Sequence, residues 1–108
     1  MKRLKICHVN VRSLLANSKL LDLEILCASA DIDVLCVTET WLSSKVGSSQ
    51  VCIPGFQPPF RCDRSAGQRG GGAAVYVRVG LQRIRSTFMI SLRQRVCKFI
   101  CPSAKLCI

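Results

Sequence analysis

Three consecutive stretches restrict this chain's fold more than any other feature: an apolar run at residues 4–10, a helix-periodic run at residues 19–28 and a nearly unbroken apolar run at residues 32–38. The first reads as a strand ending in Asn10. Asn17 and Ser18 then offer a helix N-cap, and Leu20, Leu23, Leu26 and Cys27 fall on one face of the helix that follows. Asp22 and Glu24 sit in its first turns, where the helix dipole favours negative charge. Asp31 punctuates its end. The third run lacks polar alternation, as expected of a strand covered on both faces. Strand, helix and strand at these lengths make a βαβ unit, whose crossover is right-handed in nearly all cases. The class is therefore α/β, with residues 4–10 and 32–38 parallel and their carboxyl ends at one edge of the sheet.

That edge is where open α/β sheets bind their ligands. Glu39 follows the third run directly, in Thr38-Glu39-Thr40-Trp41-Leu42, and Asn10 ends the first. Parallel neighbours lie about 4.8 Å apart, or about twice that with a strand between them. Asn10 and Glu39 can thus converge, and two oxygen ligands suit one hard metal ion. His8 shares the Asn10 face by period-two alternation. It is expected to be a core residue or to support a site residue, since nothing orients its ring as an acid or base.

Further along, residues 43–60 carry Ser43-Ser44, Gly47-Ser48-Ser49, Pro54-Gly55 and Pro58-Pro59, a loop pattern around a short edge strand near Val51-Cys52-Ile53. Arg61-Cys62-Asp63-Arg64 precedes Ser65 to Gly72, whose three final glycines are expected to let a mobile loop enter a strand at residues 73–79. No Gly-Lys-Ser/Thr follows them, so they do not form a nucleotide-binding P-loop. Residues 81–95 have no clean period. Residues 96–101 and 105–108 read as a hairpin around Pro102-Ser103. The last run ends while still apolar, so the chain is expected to be a truncated domain.

At 108 residues and 49% hydrophobic content, one small folded domain is expected rather than a disordered chain. No apolar run approaches the ~20 residues of a membrane span. His8, Asn10 and Arg12 interrupt what a signal peptide would need. An intracellular protein of the nucleus or cytoplasm is expected, neither secreted nor membrane-bound. The net charge of +10 is uneven, because residues 61–108 hold 10 basic side chains and only Asp63 against them. Such a bias favours a polyanionic partner, above all nucleic acid, over a domain that has lost its acidic part. The eight cysteines contain no C-x-x-C pair and His8 is the only imidazole, so no zinc pattern closes. Small buried hydrophobes in a reducing compartment are the expected reading. Oligomeric state is left open.

Asn10-Val11-Arg12-Ser13-Leu14, Asp33 to Leu42, Ile53-Pro54-Gly55-Phe56, Arg61-Cys62-Asp63-Arg64 and Gly70 to Val77, taken in order, resemble the endonuclease/exonuclease/phosphatase superfamily. Within it, they are most similar to the apurinic-type endonuclease domain of non-LTR retrotransposons. The resemblance covers about residues 4–80, and residues 81–108 diverge. It implies the N-terminal half of a two-sheet α/β sandwich, a βαβ unit followed by further strands, and a metal-dependent phosphodiesterase acting on DNA. Asn10 and Glu39 match the first two active-site positions. Glu39 would hold Mg²⁺ or Mn²⁺ and neutral Asn10 would orient the phosphate or a water. Arg61 and Arg64 would contact flanking phosphates, with solvated surface arginines as the competing reading.

The departures from that family are as informative. Its water-activating Asp-Asn pair and terminal Ser-Asp-His have no counterpart here, and no acidic residue follows Asp63. A chain without these groups is expected to be inactive or nearly so alone, and poorly soluble if one face of its sheet stays uncovered. A second class of function is a non-catalytic basic nucleic-acid-binding module using Arg61, Arg64, Arg69, Arg78, Arg83 and Arg85. A third, phosphoinositide or other phosphoester hydrolysis, fits the Thr-Glu-Thr-Trp-Leu and triple-glycine combination less well.

Overall fold

The computed structural model describes residues 4–64 and 70–81. Strand β1 (Ile6–Asn10), helix α1 (Lys19–Ala30) and strand β2 (Val34–Thr38) form the expected βαβ unit. A single 3-10 turn (Ser48–Val51) and strands β3 (Phe60–Cys62) and β4 (Ala73–Val77) complete the described elements. Among the described residues the sheet runs β1-β2-β4-β3, with β1 and β3 as its edges. β1 and β2 pair in parallel from Ile6 opposite Val34 to Asn10 opposite Thr38. β4 inserts antiparallel to both β2 and β3. The described part is thus a mixed α/β sheet with one helix.

The two interior strands distribute their residues between two apolar clusters, as a period of two requires. On the helix side, Leu35, Val37, Ala74 and Tyr76 pack with Leu23 and Cys27 of α1, and with Leu14, Leu42, Val51 and Ile53 from the loops. Cys7, Val9, Leu20 and Leu26 flank them. On the opposite face Val34, Cys36, Val75 and Val77 are buried beside Phe60 and Leu81. The interior strands β2 and β4 are therefore buried on both faces, as the unbroken apolar run of β2 anticipates.

Three expectations are corrected, and one strand is present beyond those expected. Ser18 precedes α1 but makes no side-chain cap; it takes a left-handed backbone, and the Asp22 N–H goes to the Ser18 carbonyl instead. Residues 51–53 form no strand, because the Tyr76 hydroxyl takes the Val51 carbonyl at 2.6 Å and holds the 3-10 turn against the sheet. Burial pushes the Tyr76 phenol pKa well above its ordinary value, so the hydroxyl stays a donor. Residues 60–62, by contrast, do pair, as an edge strand that their composition does not announce. His8 is exposed on the outward face of β1 and so is not a core residue; its Nε2 lies 2.9 Å from Oγ1 of Thr38, the neighbour of Glu39 in the chain, in keeping with the supporting alternative.

Cys27 and Cys36 are buried as expected, whereas Cys52 is exposed. Burial, reinforced by the neighbouring Cys7, raises the Cys27 thiol pKa and keeps it an inert hydrophobe. None of the five described cysteines is joined in a disulfide. The hairpin expected at residues 96–108, with Cys97, Cys101 and Cys107, lies outside the described residues.

At the amino end of β2, buried Asp33 accepts the Lys5 N–H at 3.0 Å and faces Arg78 Nε at 3.3 Å. That last contact is ionic without hydrogen-bond alignment. The Arg78 guanidinium also bridges to Asp31 at 3.1 Å and lies over the Phe56 ring. It ties the end of β4 to the turn between α1 and β2. No helix among the described residues is long and apolar enough to cross a membrane.

Candidate active site

The parallel register brings Asn10 and Glu39 to the same carboxyl edge, on adjacent strands and one residue apart. Pairing continues past the strands, with Val11 N–H donating to Thr38 O, Ser13 N–H to Glu39 O at 2.9 Å and Leu14 N–H to Thr40 O. On the other side, Thr40 and Trp41 donate to the carbonyls of Gly72 and Gly71. The segment 39–41 is therefore clamped from both flanks. Glu39 and Trp41 adopt φ of 56° and 57°, a region that residues with a Cβ enter at a cost of about 1–2 kcal/mol. Left-handed backbone at Glu39 breaks the strand's alternation and turns its carboxylate along the edge.

The three glycines account for where that carboxylate rests. Gly71 donates its N–H to Glu39 Oε2 at 2.9 Å. A Cβ at Gly70 would stand 3.2 Å from Trp41 Nε1 and 3.4 Å from Glu39 Oε1, and one at Gly72 would stand 2.5 Å from Thr40 Oγ1. All three glycines have positive φ. They do lead into β4, as the sequence indicates, but they also lie directly against the Glu39 segment. That contact spans 32 positions, and no local pattern announces it.

Half-buried Glu39 keeps Oε1 without a hydrogen bond among the described residues, and the exposed Asn10 amide is equally uncommitted. One carboxylate and one amide oxygen fit a hard ion that retains most of its waters, as Mg²⁺ does. Among the described residues no three His, Cys, Asp or Glu side chains cluster. A metal here would be held by few protein ligands.

The arginines divide sharply. Arg61 uses all its N–H groups internally: Nε and Nη2 on Asp63, Nη1 on Val46 O and Ser48 Oγ, and Nη2 on Ser43 O. It is a strut that fastens loop 43–48 to β3 and retains no donor for a phosphate. Arg64 makes no such bonds among the described residues, and its backbone N lies, like that of Trp41, 3.5 Å from the position of a Gly72 Cβ. Arg78 sits at the opposite end of the sheet. Arg69, Arg83 and Arg85 lie outside the described residues. No family model and no curated protein matches this chain.

Proposed function

We propose that the chain carries the first half of a metal-dependent phosphodiesterase site of the retroelement endonuclease type, acting on DNA. The observation that supports this reading best is the fixed Glu39 carboxylate, held by Gly71 on the β4 side, at the same carboxyl edge at which the parallel neighbour β1 ends in Asn10. A bound Mg²⁺ or Mn²⁺ would neutralise charge building on the phosphate oxygens. Glu39 Oε1 is the group that would hold it. The Asn10 amide, neutral and exposed, donates to a phosphate oxygen or holds a water without adding charge that repels the substrate. Arg64 supplies a charge-assisted contact to a neighbouring phosphate. The sandwich of two sheets belongs to this same reading, with the buried Val34, Cys36, Val75 and Val77 face, opposite α1, on the side of the second sheet.

What these residues do is bind and orient. No carboxylate after Asp63 is present to take the proton of an attacking water, so binding without appreciable turnover is expected. The basic-module alternative loses two of its six arginines, Arg61 and Arg78, to internal bonds. The test is affinity for a DNA oligonucleotide with Mg²⁺ and with EDTA. Mg²⁺ should tighten binding of the wild-type chain and leave Glu39→Ala unchanged; equal tightening of both would overturn the assignment.

A further inference from the structure

Trp41 is the chain's single tryptophan and is 39% exposed. It lies two residues from Glu39, outside the apolar clusters that hold the other large side chains of the segment. Its position is nonetheless fixed. The main chain is held at φ 57°, the N–H donates to Gly71 O at 2.9 Å, and the indole edge rests against Gly70, where any Cβ would crowd Nε1 at 3.2 Å. Nε1 has no acceptor among the described residues. Left-handed backbone at a bulky aromatic is a cost that a purely structural position would avoid. Carboxylate Oε1 and indole Nε1 flank one point above Gly70, and the Arg64 main chain adjoins the same segment.

From this arrangement we infer that Trp41 is a stacking platform for an unpaired nucleobase next to the phosphate held at Glu39, so that the preferred ligand is single-stranded or locally unpaired DNA. A fixed, exposed aromatic next to a phosphate-binding edge, in a chain with an excess of basic residues, is the arrangement with which proteins hold single-stranded nucleic acid. The inference deepens the phosphodiesterase reading and rests on it for the phosphate's position, but stacking itself needs no metal. Gly70 is part of the device, because a side chain there would press against the indole edge.

The lone tryptophan makes the test direct. The 108-residue chain is titrated in EDTA with a short oligothymidylate and with an abasic oligonucleotide of equal length and charge, while Trp41 emission is followed. Oligothymidylate should quench the emission and bind more tightly than the abasic strand. By anisotropy of labelled strands, Trp41→Ala should weaken oligothymidylate binding about 5- to 100-fold. It should leave abasic binding unchanged. Trp41→Phe, which keeps an aromatic face, should retain most of the preference and guards against a variant that simply unfolds. Equal wild-type affinity for the two strands, or unchanged emission, overturns the inference. So does an emission change that follows protein concentration alone, which would assign Trp41 to a contact between copies. A base preference in EDTA together with Mg²⁺-insensitive binding would sink the metal reading and leave the stacking.

Discussion

Gly72→Ala isolates the packing on which the Glu39 segment depends. The substitution has two costs. At φ 90° an alanine is strained by about 1–2 kcal/mol, and its Cβ would stand 2.5 Å from the Oγ1 of Thr40, which is 1% exposed. Overpacking of that kind adds about 1–3 kcal/mol. Gly55 provides the control, because it has nearly the same φ, 85°, with nothing within 4 Å of an added Cβ. Gly55→Ala should therefore cost about 1–2 kcal/mol and Gly72→Ala about 2–5 kcal/mol, read from urea unfolding midpoints at constant m. Adding Thr40→Ala to Gly72→Ala removes the atom that is struck, so the cycle should show a favourable coupling of about 1–3 kcal/mol. Equal costs for the two glycines, with no coupling to Thr40, would refute this account of why residues 70–72 are glycine.

Two further outcomes follow from the hydrogen bonds. Tyr76→Phe strands the buried Val51 carbonyl and should destabilise by about 1–3 kcal/mol. The phenol pKa is raised on folding, so the folded state holds its proton when the unfolded state has lost it; wild-type stability should fall by about 1.4 kcal/mol per pH unit above about pH 10, a slope the variant lacks in pH-dependent melts. Arg64→Gln should reduce the slope of log affinity against log salt for single-stranded DNA by about 0.7, whereas Arg61→Gln should leave the slope unchanged and lower stability.

The βαβ unit was legible because each element follows from local patterning. One helix face and one unbroken apolar strand determine the parallel pairing, and the pairing places Asn10 beside Glu39. What escaped the sequence depends on contacts distant along the chain. Arg61 looks like a phosphate ligand from its charge alone, yet its partners lie 13 to 18 residues upstream as well as at Asp63. Val51 and Ile53 are both buried, as an edge strand would have them, but the Val51 carbonyl goes to a tyrosine 25 positions away rather than to a ladder. His8 lies outside because β1 is an edge strand whose outward face carries exposed Ile6, His8 and Asn10. Period two placed His8 with Asn10 correctly; whether that face is covered is a property of topology.

Mn²⁺ titration followed by electron paramagnetic resonance probes the Glu39 and Asn10 assignment without relying on turnover, because bound and free ions are counted directly. The wild-type chain should bind one ion at millimolar concentration or below. Glu39→Gln should lose that binding and Asn10→Ala should weaken it, with folding verified by circular dichroism. Wild-type and Glu39→Gln chains that hold Mn²⁺ equally would contradict the placement of a metal at this edge.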